Sequence, residues 1–247
     1  DVAGGRVVIK TMSSGVMTTI QGYDTTRSIR NTDTNRPTIS AGSVGSITIV
    51  DLTNWCRANS LIVDGNTQTS IIGIDGDGHS TVYRCKAYRC TSRGFSQHRD
   101  VISCEADTCG VGVYICQSVF SSAHNCTSQG FQSGRAYNCT SYSNSYGFRG
   151  EGAAGLYFNC TAHSNTNDGF YTNSDQGVTC IGCISSSNSR GWQTSSANQQ
   201  IMCFSCATYN NTNTDSTNVY HVGLITLLSD PYYNASTGDF TPTSATI

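Results

Sequence analysis

From Tyr83 to Asn211 the chain repeats one short pattern of apolar and polar positions. Segments begin at Cys85, Cys104, Ser121, Cys139, Cys160, Cys183 and Cys206, stepping by 19, 17, 18, 21, 23 and 23 residues. Two places before each start stands a large apolar residue: Tyr83, Ile102, Val119, Tyr137, Phe158, Ile181 and Phe204. Two places after it stands a small one: Ala87, Ala106, Ala123, Ser141, Ala162, Ser185 and Thr208. Five places after come Cys90, Cys109 and Cys126, then Asn144, Asn165, Asn188 and Asn211. A glycine and an apolar residue close most units, as in Gly94-Phe95, Gly147-Phe148, Gly169-Phe170 and Gly191-Trp192.

Large, Cys, small at every second position reads as one face of a strand. So short a strand cannot bury that face alone, whereas identical faces stacked about 4.8 Å apart make a continuous core with paired backbones. The unit is too short for a strand plus a full helix, so two or three short strands with tight bends are expected. Earlier rungs without the Cys signature are read at Gly5–Lys10 with Met17–Gln21, at Ser46–Val50, and at Leu61–Asn66 with Ile71–Ile74. An Asn at each bend, stacked on its neighbours, would satisfy backbone groups of its own and adjacent turns. Between Pro37 and Pro231 there is no proline to interrupt the strand pairing.

The segments Gly5–Lys10, Ile20–Arg27, Arg36–Ile39 and Leu61–Asn66 resemble the N-terminal rungs of the pectate-lyase-like right-handed β-helix superfamily. The tail Ser229–Phe240 resembles the closing segment of many bacterial and phage members. The resemblance covers most of the chain. It implies an all-β, single-stranded, right-handed parallel β-helix of about nine to ten rungs. Residues 1–36 would form the N-terminal cap and first rungs, 37–228 the helix, and 229–247 a C-terminal cap or a tail reaching a neighbouring subunit. Caps are expected because an open rung is an exposed β edge. The superfamily includes lyases, hydrolases, phage tailspikes, virion proteins and surface proteins with no known activity, so the fold is implied far more strongly than catalysis.

Charged residues make up only 12% of the chain and the net charge is −2, while Ser, Thr, Asn and Gly fill the polar positions. That balance argues against a nucleic-acid surface, which needs a basic excess. With 37% hydrophobic residues the chain is a folding one. No apolar run approaches the roughly 18 residues of a membrane span. No basic-then-apolar leader follows Asp1, so a mature form, or a piece of a longer protein, is expected.

Thirteen cysteines are the loudest chemical signal. Cys180-x-x-Cys183 and Cys203-x-x-Cys206 match a zinc-ribbon spacing. Both pairs, however, sit at the same place in successive repeats, and residues three apart face opposite sides of a strand unless a bend intervenes. In-register side chains run parallel, which disfavours disulfides. A column of buried thiols acting as small hydrophobes is the expected outcome for Cys85, Cys104, Cys139, Cys160, Cys183 and Cys206. Three of the five Asn-x-Ser/Thr sequons, at Asn125, Asn138 and Asn159, are likewise products of the repeat.

Asp75-Gly76-Asp77-Gly78-His79 is a candidate cation loop in Asp75 and Asp77, weighed against a turn between rungs, which is what Asp and Gly favour. His98, Arg99 and Asp100 form the best local catalytic candidate. Lyases of the resembled superfamily hold calcium with a row of acids and use an Arg base. Here Asp64, Glu105, Asp107 and Asp168 are read as not sharing a column, and Asp75 with Asp77 as the only close acid pair. Three places after each repeat start lies a further column: Tyr88, Asp107, His124, Tyr142, His163, Ser186 and Tyr209. Its odd offset points it outward, as an aromatic strip suited to a sugar or a protein partner.

The resulting expectation is a structural or adhesive surface protein, a virion or tail component or an extracellular filament or sheath subunit. It would be extracellular or on a virion surface and would act without enzymatic activity or cofactor. Its expected partners are further copies of itself or a larger assembly, and a polysaccharide. The alternative is a polysaccharide lyase or glycoside hydrolase.

Overall fold

The computed structural model describes residues 7–10, 19–21, 36–42, 45–53, 55–150, 154–230, 232–234 and 239–242. Among them there is no helix. The protein is a right-handed parallel β-helix of about nine turns, organised as two compact units, Asp1–Thr127 and Ser128–Ile247. Each full turn carries three short strands, which build three parallel faces.

In the first unit, the first face stacks Val7–Lys10, Thr48–Thr53, Ile72–Asp75, Arg93–Ser96 and the start of Val111–Val119. The second stacks Thr19–Gln21, Arg57–Asn59, Thr81–Tyr83, Asp100–Ile102 and the end of Val111–Val119. The third stacks Thr38–Ser40, Ile62–Asp64, Lys86–Tyr88, Glu105–Asp107 and Ser122–His124. Val7–Lys10 and Thr19–Gln21 pair as strands of the first turn; apart from Arg36, the other residues of 1–36 lie outside the described ones.

In the second unit the first face holds the start of Gln129–Tyr137, then Tyr146–Gly150, Asp168–Thr172 and Arg190–Thr194. The second holds the end of Gln129–Tyr137, then Gly155–Phe158, Val178–Ile181, Ile201–Phe204 and Val219–Val222. The third holds Thr140–Tyr142, Thr161–His163, Ile184–Ser186, Ala207–Tyr209 and Ile225–Thr226. The tail adds an antiparallel pair, Tyr232–Asn234 with Asp239–Pro242.

The bends between faces have a physical signature. The residue before each repeat start has left-handed backbone: Arg84, Ser103, Phe120, Asn138, Asn159, Gly182 and Ser205 all have φ between 49° and 61°. So does the residue before each +5 position, from Arg89 and Thr108 to Ser187 and Asn210. Positive φ is uncommon outside glycine. Here it recurs because one such residue turns the chain from one face to the next while both flanking strands stay paired.

These bends overturn the strand-face reading of the repeat. The left-handed residue breaks the alternation, so positions −2 and 0 do not share a face. Cys85, Cys104, Cys139, Cys160, Cys183 and Cys206 are buried, whereas Tyr83, Ile102, Val119, Ile181 and Phe204 are only half-buried and Phe158 is exposed. The inward residues of the second face stand one place earlier: Val82 and Val101 in the first unit, Ala136, Tyr157, Cys180 and Cys203 in the second. The large apolar row that looked like core lies on the outside.

All thirteen cysteines are buried thiols. At the repeat start the thiol sits against two carbonyls, its own rung's and one from the rung before. Cys104 Sγ lies 3.3 Å from the Ile102 oxygen and 3.6 Å from that of Val82. Ser121 substitutes in kind, its hydroxyl donating at 3.1 Å to the oxygens of Val119 and Val101. The position therefore requires a small side chain with a modest donor, beyond mere hydrophobicity.

The closing Gly column answers to close packing. A Cβ on Gly147 would lie 2.4 Å from the Gly169 carbonyl oxygen, and one on Gly94 2.7 Å from that of Gly112. Inside the second unit, Phe131, Phe148, Phe170 and Trp192 stack in register with centroids 4.9, 5.1 and 5.7 Å apart and planes 9° apart at each step. The small residues Ser141, Ala162, Ser185 and Thr208 of the third face leave room for these rings.

Candidate functional site

On the third face of the first unit, Ala87, Ala106 and Ala123 point into the core, so the residues on either side of each point out. This produces two outer columns two residues apart. One is Ile62, Lys86, Glu105, Ser122; the other is Asp64, Tyr88, Asp107, His124. Asp64 and Asp107 therefore do share a column, with Tyr88 between them. The sequence reading had placed them apart because the Leu61–Asn66 rung lacks the Cys that marks the register.

The charges on these columns are bound to one another. Lys86 Nζ lies 2.9 Å from Glu105 Oε1 and 3.2 Å from Asp107 Oδ2. His124 Nε2 lies 2.9 Å from Glu105 Oε1. The Asn125 amide nitrogen lies 2.9 Å from His124 Nδ1 and 3.3 Å from Asp107 Oδ1. The His124 hydrogen bond, and then Lys86, hold the Glu105 carboxyl at about 2 against the opposing effect of burial. Burial works against the Lys86 charge, but Glu105 and Asp107 outweigh it and raise the ammonium's pKa.

Glu105, Asp107 and His124 present ligand atoms all within 4.8 Å of one another, the one such group among the described residues. Its donor types suit a divalent ion, but the Lys86 ammonium already serves as its cation. Beside it opens a groove of about 320 Å³ lined by Arg36, Ile62, Lys86, Ser103, Cys104, Glu105, Phe120 and Ser122. Phe120 stands at a bend, 64% exposed. Tyr88 lies between two cations, with Lys86 Nζ 5.5 Å and the Arg89 guanidinium 4.7 Å from its ring centre.

In the second unit the outer column runs Tyr142, His163, Ser186, Tyr209 in register. It is not an open strip. His163 and Ser186 are buried, their side chains 2.9 Å apart, and Tyr232 of the tail packs edge-on to His163 at 5.7 Å. Burial pushes the His163 pKa down. The described tail thus covers the side of the solenoid. His124, in the first unit, is also buried, which leaves Tyr88, Asp107, Tyr142 and Tyr209 as the half-exposed members of the column.

The catalytic candidates do not converge. His98 is buried: its Nε2 donates to the Ile74 carbonyl at 3.1 Å and its Nδ1 accepts from the Ser80 hydroxyl at 2.7 Å. Arg99 lies on the surface, its Nε 2.8 Å from Asp100 and its guanidinium 5.6 Å from the centre of the Trp55 ring. Burial holds the His98 pKa down to about 4. Between pH 6.5 and 4 the unfolded chain takes up a proton at this histidine and the folded one does not, so stability falls with pH through that window. At about 1.4 kcal/mol per pKa unit the loss totals about 3 kcal/mol and levels off below pH 4. Urea unfolding of the wild type and His98→Gln at pH 7, 5.5 and 4 checks this. The stability advantage of wild type should shrink toward acid, and a constant difference would refute the neutral-imidazole assignment.

Asp75 and Asp77 also part. Asp77 accepts from the His79 amide at 3.1 Å within its own turn. Gly76 serves packing, since a Cβ there would lie 2.2 Å from Ser80 Oγ and 2.5 Å from His98 Nδ1. Asp75 instead pairs in register with Asp51 on the first face, an acid pair the sequence reading missed because it crosses rungs. Burial raises the Asp75 pKa, Ser96 and the Gly76 amide oppose this, and the Asp51 charge adds to it.

The bend at Gly182, with φ of 61°, buries both Cys180 and Cys183. The zinc-like quartet nonetheless does not close into a group of mutually adjacent ligand atoms among the described residues. The Asn residues at +5 do bond between turns. The backbone N–H groups of Asn144, Asn165 and Asn188 donate to the Oδ1 atoms of Asn165, Asn188 and Asn211 at 3.1, 2.9 and 3.0 Å.

No protein-family model and no curated protein matches the chain. Solved structures do. Pectate lyase Pel9A superimposes with a TM-score of 0.54 at 14% identity, over 95% of this chain and 74% of that one. ORF18 of Geobacillus virus E2 superimposes at 0.52 and 10% identity, over 90% of this chain and 50% of that one. The likeness is one of fold, a parallel β-helix. At these identities the likeness extends to the β-helix itself and not to its chemistry.

Proposed function

We propose that the protein is a non-enzymatic, adhesive component of a virion surface or extracellular assembly, which binds polysaccharide along the third face of its first unit. The observation that carries this reading is the groove beside Lys86 and Glu105. It combines an exposed ring, Phe120, with cationic and hydroxyl groups from Arg36, Lys86 and Ser122. Aromatic faces stack on sugars and fixed polar groups orient them. Cleavage is disfavoured there because Glu105, held at about 2, stays ionised and cannot act as a general acid near neutral pH.

Binding of wild type, Phe120→Ala and Tyr88→Ala to a glycan array tests the proposal. Retention should fall about tenfold in each variant, the loss of one stacking contact of about 1.4 kcal/mol. Equal retention by all three would refute it. A second reading, polysaccharide cleavage, is favoured by one observation, the in-register pair Asp51 and Asp75 with the latter's pKa raised. Release of new chain ends, abolished by Asp75→Asn, would establish that reading instead.

A further inference from the structure

On the second face of the second unit, the outward residues form two columns that ought to be polar. One runs from Tyr137 through Phe158, Ile181 and Phe204 to Val222; the other runs from Arg135 through Leu156, Thr179 and Met202 to Tyr220. Phe158 is 39% exposed, Met202 42%, Tyr220 51% and Val222 57%. Arg135, at one end, is the one charged side chain among them. Solvated sheet faces alternate apolar-in with polar-out, and contiguous apolar patches on soluble proteins mark interaction sites. Tyr232, in the tail, packs against His163 on the third face.

We propose that this face is where a second copy of the chain docks, sheet against sheet. The claim deepens the reading of the protein as part of an assembly, on which it rests, by naming the surface that assembles. The occupant follows from charge and chemistry. A polysaccharide needs several hydrogen-bonding side chains, and the Phe158 column offers only the Tyr137 hydroxyl. A charged partner would find no counter-charge beyond Arg135. A like face is both apolar and uncharged, and two flat sheets pack well about 10 Å apart. A two-fold axis that runs the two solenoids antiparallel sets Phe158 against the partner's Val222 and Ile181 against the partner's Phe204. It also keeps the two Arg135 side chains at opposite ends, where they do not repel. Four rungs of each copy then face each other, spanning about 15 Å at the strand spacing. That places the contact at the small end of stable interfaces, so association in the micromolar range is expected.

Sedimentation velocity on the whole chain from about 1 to about 100 µM, a range that brackets such an affinity, tests the proposal. Wild type should pass from monomer to dimer. Phe158→Glu/Val222→Glu and Phe158→Lys/Val222→Lys should each stay monomeric, with wild-type circular dichroism because both side chains are exposed. An equimolar mixture of the two should dimerise again. Wild type that remains monomeric throughout, or variants that dimerise as wild type does, would overturn it. Glycan retention by the same variants should be unchanged, so failure of this face and failure of the groove are separate results.

Discussion

Phe170→Ala is expected to cost about 4 kcal/mol, the usual loss for emptying a buried phenylalanine site. Phe170 is fully buried between Phe148 at 5.1 Å and Trp192 at 5.7 Å, with Tyr157 at 5.9 Å on its flank. The cavity would open in mid-stack, where the rungs above and below are held by parallel strand pairing and cannot collapse into it. Against a total stability of about 5–15 kcal/mol this is a large fraction. Urea unfolding read by tryptophan fluorescence measures it, since Trp192 is the next ring in the stack. Phe170→Leu, which keeps most of the volume, should cost less than half as much. Equal losses in the two variants would mean that ring stacking, and not filled space, is what stabilises this core.

Asn165→Leu is expected to cost about 3 kcal/mol, because it strands buried groups on both sides at about 1–3 kcal/mol each. Asn165 Oδ1 accepts from the Asn144 backbone N–H at 3.1 Å, and its Nδ2 donates to Asn188 Oδ1 at 2.9 Å and to the Ser141 carbonyl at 3.3 Å. Leucine matches the volume and meets none of these. Asn211→Leu should cost less, since Asn211 is only half-buried. Thermal unfolding of both variants checks the order. Equal melting temperatures for wild type and Asn165→Leu would show that the turns are held by strand pairing alone.

The two substitutions probe features of different legibility. The Asn column could be read directly, because a polar residue recurring at a bend has few physical uses other than bonding backbone between turns. The ring stack was visible only as a recurring glycine and apolar residue. Its meaning needed the register that brings each glycine within Cβ contact of the next turn's carbonyl, as at Gly147 and Gly169. Candidate sites fared differently again. His98-Arg99-Asp100 is contiguous in sequence, yet the left-handed residue Gln97 turns His98 into the core and leaves Arg99 on the surface. Glu105, Asp107 and His124 are spread over two turns, yet they meet. A search for local clusters favours the first set and overlooks the second.

The sequence by itself determined the class of fold and the turn length of about twenty residues. It also determined which columns carry Cys, Asn, Gly and small residues, because stacked identical turns force like residues into like environments. Only the tertiary structure decided which way the columns face. One residue at φ near 50°, placed between positions −2 and 0, reverses the alternation of the strand. No rule of period two can carry a side-chain direction across such a bend. For that reason a row of Tyr, Ile, Val and Phe that reads as core became the outer face on which the assembly proposal rests.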